Sequence, residues 1–489
     1  MSDTVDENSC DDHWTTSADP TVSSRETQKA LKNSIIEGGF SSALVTLTGG
    51  VFLTGFALLL GANSLQIGLI AAFPHLANLL QLVGSYIIER TGARQRFCIL
   101  TSLLGRPLWM IIALLPFISL PFIEDRKVSI FLLLLALINF FASLHGVSWL
   151  SWIASIVPTE IRGRYFGKRT MVMSAASMAL GFAGGQFLDQ WNQAHPENIQ
   201  LGFAVIFGFG VICGLISTVY YWLIPEPEIP ESQRHETFKS LMKLPLQDHR
   251  YKKLLLYQIY WQIAMGFAGP FFSVYMLQLN LSYTFIALMN VVSSLASISA
   301  MKWWGEVADR YGNKPILTLI LVGKGIFPLL WLFTHPTSYT LFVIVHLMSV
   351  LDGGMGLCSS NLLLRVTPDE HRSIFLAFSA AVVGIGGVFA PTVGGALATA
   401  LKDVHFTLGP IVLEQFKFLF LLSGILRFGS IYFMRRVEEP DAKSLSTIMN
   451  LFPHIRKLSI SEEFHQTLHH WIEAVRHRES VSGQSDKQR

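Results

Sequence analysis

The chain has 489 residues, of which 51% are hydrophobic and only 15% charged, with a mean hydropathy of +0.43. Water-soluble chains carry about 25% charged residues, so the natural solvent for most of this chain is lipid. A net charge of +3 gives no ground for a nucleic-acid partner, and four scattered cysteines (Cys10, Cys98, Cys213 and Cys358) form neither a disulfide framework nor a structural zinc site.

Residues 1–33 are polar and rich in Asp, Ser and Thr, without the basic start and apolar core of a signal peptide. They read as a disordered cytoplasmic lead. Twelve apolar segments of spanning length follow, near 35–60, 65–88, 97–118, 129–157, 166–187 and 199–224, then near 252–279, 282–304, 315–334, 338–361, 373–400 and 412–434. The runs are continuous and about twenty residues long, which predicts helices rather than the ten-residue alternating strands of a barrel. Lys and Arg crowd one set of connections, for example Arg90, Arg94, Arg96, Arg162, Arg164, Lys168, Arg169, Arg310 and Lys314, whereas the other set carries only Arg126, Lys127 and Lys402. This asymmetry predicts a multi-pass protein of the plasma (cytoplasmic) membrane with both termini in the cytoplasm.

The longest connection, 225–250, opens with alternating Pro and Glu and divides a bundle over 34–224 from one over 251–434. In the tail, 435–489, Ile448, Leu451, Phe452, Ile455 and Leu458 recur at helical spacing, as in an amphipathic helix. Glu462, His465 and His469 have metal-ligand spacing but lack further ligands, so they read as a solvated helix face. No metal and no cofactor is expected, and no phosphate-binding loop signals ATP hydrolysis.

The two halves repeat. The loop Ser85-Tyr86-Ile87-Ile88-Glu89-Arg90-Thr91-Gly92-Ala93-Arg94 after the second span recurs 220 residues later as Gly305-Glu306-Val307-Ala308-Asp309-Arg310-Tyr311-Gly312-Asn313-Lys314. Pro158, Glu160 and Arg162 recur as Pro368, Glu370 and Arg372, and Gly184-Gly185 as Gly394-Gly395, both 210 residues apart. Three anchors at nearly one offset indicate a six-plus-six duplication. On these residues the chain resembles the major facilitator superfamily over about 34–434. The second loop copy meets that family's G-x-x-x-D-R-x-G-x-[K/R] hallmark fully; the first departs at Ser85 and Glu89. The resemblance implies an all-α integral membrane fold of twelve transmembrane helices in two pseudo-symmetric six-helix bundles. It also implies that the first, fourth, seventh and tenth spans line a central cavity. The family's antiporter signature, G-P-x-x-G-G, belongs in the fifth span, but here only Ala390-Pro391-Thr392-Val393-Gly394-Gly395 of the eleventh approaches it.

In physical terms, Glu89, Arg90, Gly92 and Arg94, and likewise Gly305, Asp309, Arg310, Gly312 and Lys314, form a cytoplasmic latch in which acids and bases at helix ends pair across neighbouring helices. Polar residues inside the spans are the candidates for a transport pathway, because a mid-membrane charge costs at least about 2.5–3.5 kcal/mol unless it meets a partner or a cavity. In the tenth span His346, Ser349 and Asp352 recur at steps of three, continued by Gly356 and Ser359. Asp352 is either a protonatable group or a carboxylate held by a structural base. In the fourth span His145, Ser148, Trp152 and Ser155 share a face, with His145 either meeting solute or packed neutral. Glu37 opens the first span as an interfacial or latch residue. Gln258, Trp261 and Gln262 lead the seventh span, which Gly269-Pro270 kinks. Arg106 and Lys324 occupy matching places in the third and ninth spans, either favouring an anionic solute or pairing with Asp352 or Glu37.

The expected function is a secondary active transporter that moves a small organic solute by alternating access with proton coupling. Its partners are the solute, protons and the lipid bilayer. The rival is a receptor or scaffold that keeps the transporter fold without transport. No nucleophile-base set marks an enzyme.

Overall fold

The computed structural model describes residues 24–79, 81, 93–226, 244–368, 372–408, 411–440 and 442–443. Glu89, Arg90 and Gly92 of the first loop copy, and the tail residues Ile448 to His469, lie outside these.

Twelve spans are laid out in chain order. The first is α1 (Ser24–Thr48) with α2 (Gly50–Leu59), and the second is α3 (Ser64–Leu79). The third is α4 (Arg94–Gly105) with α5 (Leu108–Leu114), followed by α6 (Lys127–Ile156), α7 (Arg162–Ala194) and α8 (Ile199–Trp222). The seventh is α9 (His249–Gly266) with α10 (Phe271–Gln278), followed by α11 (Tyr283–Tyr311) and α12 (Asn313–Leu330). The tenth is α13 (Tyr339–Leu347) with α14 (Val350–Val366), then come α15 (Arg372–Ala400) and α16 (Gln415–Arg436). A hairpin of β1 (His405–Leu408) and β2 (Ile411–Glu414) joins the last two. Among the described residues ten helices are long and apolar enough to cross a membrane. The other two spans are the second, whose described part is short, and the seventh, whose α9 starts with the charged run His249, Arg250, Lys252 and Lys253.

Helices follow from the solvent, because a backbone in hydrocarbon must satisfy its own amides. The breaks sit where the sequence removes that possibility. The first span turns at Gly49-Gly50, with Gly50 at φ +52, and the matching seventh span is interrupted before Phe271, with Pro270 at the N-cap.

Packing repeats across the halves. The first span lies against the fifth and sixth, as the seventh lies against the eleventh and twelfth. The third packs on the fourth as the ninth packs on the tenth. Between halves, α3 packs along α15 and α7 along α11, a crossed pair related by a pseudo-twofold. Because lipid tails are as apolar as leucine, these contacts depend on shape rather than on expulsion of water. Rings supply much of it. Phe56 meets Phe131, Phe203 and Phe207 at 5.0–5.7 Å, and Phe272 meets Phe327, Trp331 and Phe420 at 4.6–5.4 Å.

One face of the bundle, here the basic face, carries the connections with Arg94, Arg162, Arg250 and Lys314. The two faces are packed differently. Toward the opposite face a single apolar core runs across both halves, joining Phe52, Phe56 and Phe203 to Phe271, Tyr275 and Ile286. Toward the basic face the cores are separate: Leu31, Cys98, Trp152 and Tyr221 in the first half, and Leu254, Trp304, Leu317 and Leu362 in the second. The halves are therefore closed on the opposite face and parted toward the basic one.

Candidate solute cleft and buried ion clusters

The closure is built from helix N-termini. Asp189, near the end of α7, accepts the backbone N–H of Tyr283 (2.9 Å) and Thr284 (2.8 Å) at the start of α11. This is a capping carboxylate at the positive end of a helix in the other half. The equivalent in α15 is Thr399, 210 residues later, whose hydroxyl accepts Leu65 N–H (3.2 Å) at the start of α3. Beside them Gly185 and Gly395 let backbones touch. A Cβ on Gly185 would stand 2.9 Å from Tyr283 O, and one on Gly395 2.4 Å from Ser64 O. The repeated glycine pair thus marks the two inter-half seams.

Below this seal a cleft of about 600 Å³ lies between α1, α7 and α11, within the size range of sites for small organic molecules. Its polar lining includes Ser41 and Thr46 from α1, Thr170, Ser174 and Ser177 from α7, and Asn290 and Ser294 from α11. Arg169 is the charged residue among its described lining, with Met173 and Met178 beside it.

Arg169 belongs to a buried cluster in the first half. Its Nη2 meets Glu37 Oε2 at 2.8 Å, Nε donates to Ser34 O (3.3 Å), and the guanidinium stacks 3.9 Å over Trp149. Glu37, only 1% exposed, also accepts Ser217 Oγ (3.0 Å) and Tyr221 OH (2.7 Å). From Tyr221 the contacts continue to His145 Nε2 (3.0 Å), whose Nδ1 faces Ser102 Oγ (2.9 Å) and Cys98 Sγ (3.2 Å). Arg106 donates to Gly214 O, Thr218 Oγ1 and Tyr221 OH. Glu37 stands eleven residues into the span Glu26–Leu59, about 16 Å along the helix. Glu37, expected from the sequence at the interface or in a latch, is a buried carboxylate satisfied by the fifth and sixth spans.

A second cluster occupies the other half. Lys324 Nζ meets Asp352 Oδ1 at 2.6 Å, with the lysine side chain 5% and the aspartate side chain 42% exposed. Arg427 of α16 is fully buried and donates to Lys324 O (3.2 Å). Phe327 lies between the two cations, 5.0 Å from Lys324 and 5.7 Å from Arg427. Each half thus sets one carboxylate against two bases, the carboxylate buried in the first half and 42% exposed in the second.

The remaining sequence candidates are distributed as follows. His346 is buried and turned into its own half, its Nδ1 2.7 Å from Phe342 O and its ring against Trp331. Ser349 sits at the N-cap of α14, where the two residues Met348 and Ser349 interrupt the helix between His346 and Asp352. The fourth-span stripe faces α4 and the start of the linker: Ser148 donates to Arg94 O (2.7 Å), and Trp152, completely buried, to Pro225 O (2.9 Å). Gln258 receives Ser379 Oγ (2.7 Å), tying α9 to α15. Trp261 packs at the edge of the basic-face core, and Gln262 Cβ lies where α9 passes Gly386.

Of the expected latch, Arg94 donates to Ser151 O (3.3 Å), while Asp309 and Arg310 are exposed at the end of α11, which also carries Gly305. The acid that engages this corner is one the sequence reading missed. Glu439, beyond α16, accepts Asn313 N (3.1 Å) and Lys314 N (2.6 Å) at the start of α12 and pairs with Arg365 (3.3 Å). Gly312, at φ +95, lets it approach, and Lys314 Nζ donates to Arg435 O. In the first half Glu226, just past α8, likewise accepts Gln95 N (2.9 Å) at the start of α4. An acid after the last span of each half thus caps the third helix of that half. The available signal was a Glu beside Pro after both spans.

Known proteins share this architecture. A nucleoside transporter covers 84% of this chain and all of its own at a TM-score of 0.63 and 10% identity. A D-xylose-proton symporter covers 84% and 97% at 0.63 and 14% identity. These likenesses show the fold. Among curated relatives, the class H tetracycline resistance protein of Pasteurella multocida is 25% identical over 34% of this chain and 38% of its own length. The staphyloferrin B transporter of Staphylococcus aureus is 25% identical over 35% and 41%. The multidrug transporter mfsB of Aspergillus fumigatus is 30% identical over 22% and 18%. The chain thus spans well under half the length of these relatives. The family model of the Major Facilitator Superfamily matches residues 38–277 and 254–477. This multi-pass integral membrane protein, with its twelve helices in two pseudo-symmetric bundles, belongs to the Major Facilitator Superfamily.

Proposed function

We propose that the protein is a secondary active transporter that carries a small organic solute by alternating access, coupled to protons, in the plasma membrane with the basic face cytoplasmic. The observation that carries this reading is the unequal packing of the two faces. One shared core closes the opposite face, separate cores stand on the basic face, and a hydroxyl-lined cleft lies between the halves. Rocking of 34–224 against 251–434 about the α3–α15 and α7–α11 seams exchanges these arrangements, with 225–250 as the link, while 1–33 and 435–489 flank the carrier. The concentration of Lys and Arg on one face supports the sidedness. Relatives named for tetracycline resistance, multidrug transport and staphyloferrin B transport agree with an organic solute, and the symporter's name with protons.

Asp352, accessible and paired with Lys324, and Glu37, paired with Arg169, are the carboxylates that load the proton. Flux in reconstituted vesicles is expected to follow an imposed pH gradient and to lose that response in Asp352→Asn or Glu37→Gln. Flux indifferent to the gradient and to both substitutions would refute the coupling. Single cysteines along α11 that never change exposure from side to side would refute transport and leave a scaffold.

A further inference from the structure

We infer that the solute carried in this cleft is an organic oxyanion, a carboxylate or phosphate monoester, received by Arg169. The inference rests on the transporter reading and specifies its substrate. Two independent observations carry it.

The first is the way the guanidinium is held. Stacking on Trp149 fixes its plane, Glu37 takes Nη2 and Ser34 O takes Nε. Among the described residues Nη1 has only the thioether of Met173, at 2.9 Å, and Arg169 and Met173 both line the cleft. A sulfur is a weak acceptor. A planar fork with one poorly satisfied edge suits an oxyanion, which adds charge-assisted hydrogen bonds there. Thr170, Ser174 and Ser177 stand on the same helix in the same cleft to supply further donors.

The second is charge. Glu37 is set against Arg106 and Arg169, and Asp352 against Lys324 and Arg427. Each described cluster therefore has one cation more than its anions, inside a bilayer where uncompensated charge is costly. Arg106 is bonded to a carbonyl and hydroxyls, Lys324 to Asp352, and Arg427 is fully buried with its Nε unpartnered among the described residues; of these bases Arg169 lines the cleft between the halves, so it is the one at which a mobile anion restores balance. Such an anion competes with Glu37 for the guanidinium.

The test uses the full chain in nanodiscs and thermal-shift titration with benzoate, phenyl phosphate and indole-3-acetate. Benzamide and indole-3-acetamide serve as neutral counterparts and benzylammonium as the cation. At least one acid should stabilise the protein where its counterparts do not. Arg169→Gln should weaken that acid roughly tenfold or more, because a charge-assisted pair is lost, and Arg169→Lys should restore part of it. Glu37→Gln should strengthen the acid by removing its competitor, and it decides the matter if Arg169→Gln does not fold. Equal responses to acid, amide and amine, no acid response at all, or an acid response untouched by both variants would overturn the assignment. Alternating accessibility of Asn290→Cys with no preference for acids would sink the anion and spare the transporter; static accessibility would sink the transporter.

Discussion

Asp189 bonds to the other half across the closed face; under the proposed alternating access this bond belongs to one conformation, so its removal should act on that conformation and leave the other nearly untouched. Its two oxygens take the first amides of α11, which have no partners within the helix. Loss of an N-cap costs about 0.5–2 kcal/mol, and a negative charge at a helix N-terminus contributes a further 0.3–1 kcal/mol or so. When the halves part, carboxylate and amides both hydrate. Asp189→Ala should therefore raise the closed state by about 1–2 kcal/mol relative to the open one, a shift of roughly 5–30-fold in the equilibrium.

The assay is alkylation of Ile286→Cys, a position fully buried in the shared core, in a background with the four native cysteines replaced by Ala. An impermeant maleimide applied from the opposite face should react roughly 5–30 times faster after Asp189→Ala. Asn290→Cys in the cleft should become slower from the basic face. Thr399→Val, which removes the acceptor for Leu65 N–H, should act in the same direction. Because the two caps share no partners, the double variant should add the effects. Unchanged or slower labelling of Ile286→Cys in both single variants and the double, with folding intact, would refute the account of the seal.

Glu439→Ala strips the cap from α12 and leaves Arg365 unpaired, and it should lower stability by about 1–3 kcal/mol in thermal unfolding; Glu226→Ala, which loses the single backbone bond to Gln95, should cost less. Gly312→Ala forces a side chain into φ +95 with its Cβ 2.9 Å from Ala442, and a loss of about 1–2 kcal/mol should appear in the same measurement. Asp352→Asn leaves Lys324 without its carboxylate. The loss should fall below the roughly 3–5 kcal/mol of a fully buried broken pair, because the aspartate is 42% exposed. Adding Lys324→Met should recover melting temperature without recovering pH-driven flux.

The spans were legible because hydrocarbon demands continuous apolar runs, and the duplication because loop charges and close-packed glycines tolerate little drift. Arg106 and Lys324 stood out for the same reason: bases inside an apolar run are expensive. Arg169 did not, because it follows Arg162, Arg164 and Lys168 and reads in sequence as one more loop charge. Yet α7 starts at Arg162, and two turns later the long side chain reaches inward to Glu37. In the tenth span the structure divides the residues differently: His346 is buried against Trp331, whereas the Asp352 side chain is 42% exposed. Steps of three or four define a face only along one unbroken helix, and the helix breaks at Met348-Ser349. The cleft's own stripe, Thr170, Ser174 and Ser177, has helical spacing, but hydroxyls in an apolar helix carry no cost that marks them out as a buried base does.

The two kinds of polar feature have kept the duplication unequally. The seal repeats nearly residue for residue, with Gly185 and Asp189 answered by Gly395 and Thr399 at one offset, because both copies perform the same backbone-to-backbone closure. The ion clusters repeat only in kind. Their carboxylates come from the first span in one half and the tenth in the other, and only the Arg106–Lys324 pair keeps its register. A pseudo-twofold imposes equivalence on the surfaces that meet across it, but a solute without that symmetry touches the halves differently. Substitutions in the seal should accordingly act alike in the two halves. Substitutions in the ion clusters should separate into solute binding at Arg169 and a different role at Asp352.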